Sequence, residues 1–242
     1  MTQLIAILGR GIQRSSPGSS WDTTEDMEIC DDRGAHLIVR QPVDDTNQNC
    51  LIGGGKLNVE AGFEYYKNYG YHGHDLVVCA YGDRARYIKE ITGSPSESEV
   101  MSEQLEAMCK TQKVPLPKIE TWGRDRSIDG PSNTLKEVQN IFELAVQRQC
   151  LDVIIITVLV HLPRVMLFAQ THSSDPRFKI LTVKFMSSEE TLCSLNPKEY
   201  GPRILNLFSS SAFQRTARME LRGVEAFLNG TYGVNIKQQN GE

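Results

Sequence analysis

The chain has 242 residues, 40% hydrophobic and 23% charged, with a formal net charge of −4; this suits a globular protein long enough to bury a core. No basic surplus exists to neutralise phosphates, which argues against a general nucleic-acid binder. The longest apolar run, VIIITVLV at 153–160, is far shorter than the roughly 20 residues that span a bilayer, so no membrane partner is expected.

The start, MTQLIAILGRG, lacks the basic opening and long apolar stretch of a signal peptide, which predicts a cytoplasmic location. A first strand is expected in LIAILGRG at 4–11. Residues 12–50 then interrupt the pattern. Within them MEICDDRGAHLIVR reads as a hairpin from Met27 to Arg40, turning at Asp31–Gly34 in a loop rich in Ser, Gly, Asp and Asn. This is an insertion at the carboxyl edge of the sheet, suited to a lid or equally to a decorative or dimerising hairpin.

From there strands and helices alternate. Helix Asn58–Asn68 leads to strand DLVVCAYG at 75–82, helix Ser96–Gln112 to strand KIETWG at 118–123, and helix Asn133–Gln149 to strand LDVIIITV at 151–158. Helix Leu162–His172 and strand FKILTVKF at 178–185 follow. A C-terminal helical segment at 200–230 contains helix Phe213–Leu228, whose residues Phe213, Ala217, Leu221, Val224 and Leu228 share one face. Near-continuous apolar strands between helices predict an α/β protein. The expected architecture is one Rossmann-like, doubly wound domain over 1–242, with a mainly parallel five-stranded sheet and a hairpin insertion at 12–50. Six cysteines are scattered without a C-x-x-C, so reduced core thiols are expected rather than a zinc site or a nucleophile.

In such sheets ligands bind at the carboxyl ends of the strands. The first turn, GRGIQR, offers Gly9, Arg10 and Gly11 but lacks the third glycine of a dinucleotide fingerprint. GGGK at Gly53–Lys56 is not a phosphate-binding Walker loop, since Leu57 follows. Its glycine N–H groups could hold an anion, or the run could be a flexible joint. The second turn carries Gly82 and Asp83. Beyond it Ser94 and Glu97 fit a capping box with Pro95 between them, so Glu97 is explained either by capping or by function. The third turn carries Asn133 and Thr134, with Thr134 and Glu137 spaced as a second capping box.

At the fourth turn Pro163 marks a helix start, and His161 and Arg164, three apart, can point the same way. An arginine at the positive end of a helix is unfavourable unless an anion offsets it. The pair therefore suits a phosphate or carboxylate ligand. The alternative is an arginine paired with a nearby Asp or Glu beside a merely hydrogen-bonded histidine. His72 and His74 read as surface loop residues, and Arg215, Arg218 and Arg222 as a solvated stripe on the last helix.

Several stretches together resemble one family. AILGRGI, NVEAGFEYYKNYG, DLVVCAYG, SESEVMSEQL with Glu97, SNTLKEVQNI with Asn133 and Thr134, and ITVLVHLPRVMLF with Thr157, His161 and Arg164 occur in the order and spacing of the bacterial YdcF/SanA-like proteins, a family with a domain of unknown function. The resemblance runs from about residue 3 to residue 186, broken by the insertion. It departs at Asn58, where the family has arginine, at Val158 and Pro131, where it has serine, and at Ala80-Tyr81-Gly82, where it has Ser-Gly-Gly. The resemblance implies a Rossmann-like fold and adds Thr157 to the site. It also implies a possible S-adenosylmethionine ligand, which is associated with one member; membrane-anchored members are linked to envelope and lipid-carrier metabolism.

The expected function is an enzyme performing hydrolysis or group transfer on a small anionic, phosphate- or nucleotide-bearing metabolite. His161 would be the acid/base, and Glu97 a second acid/base or an orienting group. Gly9, Arg10, Gly11, Gly82, Asp83, Asn133, Thr134, Thr157 and Arg164 would bind the ligand. A second expectation is a non-catalytic module for a nucleotide-like ligand. A third is an interaction protein with a vestigial pocket, in which Glu97, His161 and Arg164 would not converge. No ligand spacing demands a metal, although a divalent ion such as Mg²⁺ could sit among Glu97, Asp83 and His161 if they met. A homo-oligomer is left open.

Overall fold

The computed structural model describes residues 2–70, 73–80, 95–122 and 134–232. The chain opens with β1 (Gln3–Leu8), and the insertion supplies β2 (Ile12–Arg14), β3 (Trp21–Thr23), β4 (Met27–Ile29) and β5 (Cys50–Ile52). There follow α1 (Gly55–Tyr69), β6 (Leu76–Ala80), α2 (Glu97–Gln112), β7 (Lys118–Trp122) and α3 (Thr134–Gln147). The remainder is β8 (Asp152–Thr157), α4 (Leu162–His172), β9 (Thr182–Ser187), α5 (Ser188–Leu195), α6 (Pro197–Ser209) and α7 (Ser211–Leu228).

Five strands form one all-parallel sheet in the order β7-β6-β1-β8-β9. Every residue of β1 and β6 is buried, because both faces are covered, and this is why these strands read as unbroken apolar runs. Alternate residues serve opposite faces. Ile5, Ile7, Val77, Cys79, Ile154 and Ile156 pack toward α1, α2 and the C-terminal helices. Leu4, Ala6, Leu8, Leu76, Val78, Val153 and Ile155 pack toward α3 and α4. The fold is the expected Rossmann-like doubly wound one. The strand order reverses between β1 and β8, so the crevice beyond their carboxyl ends is the place where a ligand is expected.

Three details differ from the sequence reading. The hairpin in the insertion is β2–β3. Met27–Ile29 pairs with β5 rather than with the residues after Gly34, and the Asp31–Gly34 turn is closed by a single bridge between Cys30 and His36. Pairing with β5 wins because β5 feeds directly into α1 and must be anchored beside it.

The first helix starts at Gly55, not Asn58, and the glycine run before it is neither an anion cradle nor a flexible joint. The N–H groups of Gly53, Gly54 and Lys56 donate to the carbonyls of Asp26, Glu25 and Thr24, and that of Gly55 to Thr24 Oγ1. The insertion therefore caps α1. Glycine is demanded at position 54, where φ is +80° and a Cβ would lie 2.4 Å from Val158 Cγ1.

Finally, α7 turns a different face inward. Leu221 and Leu228 are 56% and 67% exposed, while Ala212, Thr216 and Glu220, at i, i+4 and i+8, are buried. Arg218 and Arg222 are exposed as expected, but Arg215 reaches the Cys50 carbonyl and Asp45.

Candidate active site

A cavity of about 280 Å³ occupies the β1/β8 crevice. Its walls include Gly9, Arg10 and Gly11 after β1, Glu97 at the start of α2, Thr134 and Glu137 on α3, and His161 and Arg164 around the start of α4. Thr216 and Glu220 enter from α7, Cys30 and His36 from the insertion, and Tyr232 from beyond α7. The sequence-nominated Glu97, His161 and Arg164 thus meet in one pocket, which the vestigial-pocket reading did not expect.

Local chemistry positions each group. Ser96, not Ser94, caps α2: its hydroxyl accepts from Glu99 N at 3.2 Å, and the Glu99 carboxylate accepts from Ser96 N at 2.8 Å. The box therefore lies two residues later than the sequence suggested, and Glu97 is released from capping. Its carboxylate instead accepts a hydrogen bond from Gly11 N and rests on Gly9, where a Cβ would collide with it. Gly9 N donates to the Ala80 carbonyl. Both glycine amides of the first turn are thereby engaged within the chain rather than offered to an anion.

Thr134 is the first residue of α3 rather than its cap, and its hydroxyl lies 3.5 Å from His161 Nε2. One turn on, Glu137 is 6% exposed. Burial, with the Glu97 charge nearby, pushes its carboxyl up to about 8 against the pull of Arg164 and Arg10. Glu137 therefore keeps its proton at neutral pH and can donate a hydrogen bond.

His161 ends a 3-10 turn, Leu159–His161, that leads into α4, whose second residue is Pro163. Its Nδ1 lies 2.9 Å from Glu220 Oε2. The same carboxylate takes Arg164 Nη2 at 2.9 Å and Arg10 Nη1 at 3.0 Å. The anion that the arginine at this helix start requires is Glu220, which realises the alternative of an arginine paired with an acidic residue. Burial alone would raise the Glu220 carboxyl, but His161, Arg10 and Arg164 together hold it well below the usual range, so it is ionised. Burial pushes His161 down to about 4, with Glu220 opposing and Arg164 and Arg10 assisting. With two guanidiniums already on one carboxylate, a third buried cation is disfavoured, and the imidazole is neutral. Nδ1 faces Arg164 Nη2 at 3.1 Å, which can only donate, as well as Glu220 Oε2 at 2.9 Å, which can only accept; because Arg164 Nη2 already donates to Glu220, the carboxylate decides and the proton sits on Nδ1. Nε2 then presents its lone pair on the Thr134 side.

Arg10 is spent on architecture. Besides Glu220, it donates from Nε to the Gly53 carbonyl at 3.1 Å and from Nη2 to that of Ile52 at 3.2 Å. Arg164 differs: its Nε is buried without a hydrogen-bond partner among the described residues. Thr157 does not line the cavity. It sits 3.5 Å from Asn58 Nδ2, in a buried lock where Asn58 also donates to the Leu8 carbonyl at 2.7 Å and accepts from Ser188 Oγ at 2.7 Å. Gly82, Asp83, Asn133 and His72 lie outside the described residues. Among the described residues, Glu97 and His161 do not gather with a third side chain of metal-ligand type.

The sequence reading missed Glu220 and the pocket role of Glu137. Thr216 and Glu220, polar and four apart on the face of Ala212, were the signal for the first; Glu137 was hidden behind an apparent capping box.

Comparisons with protein-family models, with curated proteins and with solved structures give no match.

Proposed function

We propose that the protein is an enzyme that carries out acid–base chemistry, hydrolysis or group transfer, on a small anionic metabolite in the β1/β8 crevice. The observation that carries this reading is the buried Glu220–His161 pair. It supports a neutral imidazole whose Nε2 can take a proton from water or a substrate hydroxyl, while Glu220 orients the ring and stabilises the imidazolium that forms. Glu137, protonated at neutral pH, is the group able to give a proton to a leaving atom. The Arg164 guanidinium, on the cavity wall, attracts the ligand's phosphate or carboxylate. Glu97, held by Gly11 N, serves as a further carboxylate at the edge of the pocket. The cavity's 280 Å³ sits at the small end of ligand pockets, which favours a compact metabolite over a dinucleotide. Of the residues that carry the likeness to the YdcF/SanA-like family, Glu97, Thr134, His161 and Arg164 line the cavity, which accords with this reading, while Thr157 does not line it.

A thermal-shift screen tests the reading, using sugar phosphates, nucleotides, sugar nucleotides, S-adenosylmethionine and small carboxylates. It is run on wild type, Arg164→Ala and His161→Ala, and followed by turnover assays on any hit. A ligand at 100 times its dissociation constant adds about 2.7 kcal/mol of stability. Binding abolished by Arg164→Ala, with turnover abolished by His161→Ala, is the expected result. A ligand that stabilises all three proteins equally, or one bound and never turned over, would sink the enzyme reading.

A further inference from the structure

The insertion brings together three side chains that the acid–base site does not use. Glu28 and Cys30 are two residues apart on one extended run, which places them on the same face. After Cys30 the chain reverses in a tight turn. Asp31 Oδ1 accepts from Arg33 N at 2.8 Å and Ala35 N at 2.9 Å, and Gly34 N donates to the Asp31 carbonyl at 2.9 Å. The reversal sets His36 opposite Cys30 in an antiparallel bridge, so its side chain joins the same face. A carboxylate oxygen of Glu28, Cys30 Sγ and a ring nitrogen of His36 consequently lie within 4.8 Å of one another.

We propose that Glu28, Cys30 and His36 form a zinc site, with its fourth coordination position open to the cavity. Zn–S and Zn–N bonds of about 2.3 and 2.1 Å in a tetrahedron put ligand atoms roughly 3.3–3.7 Å apart; the three ligand atoms lie within 4.8 Å of one another, and Glu28 and His36, hydrogen-bonded to each other, would part slightly to admit the ion. The donor set of thiolate, imidazole and carboxylate matches a borderline-soft divalent ion, whereas Mg²⁺ and Ca²⁺ call for oxygen throughout. Outer contacts of the kind that orient metal ligands are also in place. Gln13, fully buried, donates from Nε2 to Glu28 Oε2 at 2.6 Å. The His36 ring lies against Gly11, where a Cβ would come within 2.8 Å of Cδ2. Cys30 and His36 both line the cavity. Three protein ligands with an open fourth position is the arrangement of zinc sites that bind water or substrate, not of closed structural sites.

The test reads metal binding and is independent of turnover. The full chain is stripped with chelator and titrated with Co²⁺ as the spectroscopic stand-in for zinc. One equivalent should bind, with a thiolate-to-cobalt charge-transfer band and the intense visible bands of a four-coordinate ion. Cys30→Ser should remove the charge-transfer band and Cys193→Ser should keep it. Gln13→Ala, which leaves all three ligands in place and guards against misfolding of the ligand variants, should weaken binding by about 10- to 100-fold. His161→Ala should bind cobalt as wild type does, which separates this site from the acid–base reading. Absence of the charge-transfer band in wild type, its persistence in Cys30→Ser, or its loss in His161→Ala would overturn the proposal.

Discussion

His161 Nδ1 and Glu220 Oε2 meet at 2.9 Å across 59 residues of sequence. One carboxylate on α7 thereby orients the imidazole at the start of α4 and pairs with both Arg10 and Arg164 as well.

Removing that carboxylate should cost more than removing the histidine. Glu220→Ala strips the counter-charge from two largely buried guanidiniums, a loss of about 3–5 kcal/mol. His161→Ala leaves Glu220 paired with both arginines and should cost clearly less. Urea denaturation of the two variants at neutral pH measures the order, and the reverse order would show that Glu220 is not what holds the arginines.

Glu137 gives stability a slope on the alkaline side. Its carboxyl titrates at about 8 in the fold against an ordinary value of 4.5, so the folded state binds more protons between those values. The contribution is complete below 4.5 and is lost as pH rises to 8. Glu137→Gln, fixed in the neutral form, should gain on wild type across this window by an amount on the order of a few kcal/mol. A variant-minus-wild-type difference in denaturation free energy that does not change with pH would show that Glu137 is ionised in the fold.

His161 acts on the acid side. Its folded value of about 4 lies below the ordinary value of 6.5, so the unfolded chain binds more protons between them and stability rises with pH through that window. Catalysis requires a neutral His161 and a protonated Glu137, so kcat/KM for a substrate should follow a bell with limbs near 4 and 8. An acid limb near the ordinary histidine value would place the working base elsewhere.

The capped joint before α1 predicts a partial rescue. Gly54→Ala forces an L-residue into φ +80° and drives its methyl to 2.4 Å from Val158 Cγ1. The left-handed backbone costs about 1–2 kcal/mol and the overpacking about 1–3 kcal/mol. Adding Val158→Ala should remove the overpacking share and leave the backbone share. Thermal or urea unfolding of the two single variants and the double variant measures the coupling.

What could be read from the sequence follows from which forces are local. The inner strands β1, β6 and β8 were legible because a strand covered on both faces must be apolar throughout, whereas β9, a partly exposed edge strand, spans Thr182–Ser187 rather than 178–185, Phe178 ending a 3-10 turn; the turns at the carboxyl ends pointed to Glu97, Thr134, His161 and Arg164. Glu220 was not legible. The apolar positions of α7 suggested a core face through Leu221 and Leu228, yet α7 lies over a polar crevice and buries Thr216 and Glu220 instead. The capping box of α2 could not be placed because Ser94/Glu97 and Ser96/Glu99 have equal spacing; tertiary contact between Glu97 and Gly11 accompanies the second choice. The helices α5 and α6 were compressed into one C-terminal segment, and the pairing of β4 with β5 spans a loop that no local pattern reports.

The Arg10–Glu220 contact closes a loop of 210 residues. Contacts of such separation form late, since their loop-closure entropy must be met before they contribute any binding of their own. A refolding chain can therefore pair the strands of its sheet while α7 is still undocked, leaving His161 without its orienting carboxylate. Recovery of catalytic competence should then lag recovery of secondary structure, which makes the acid–base pair a reporter of the last stage of folding.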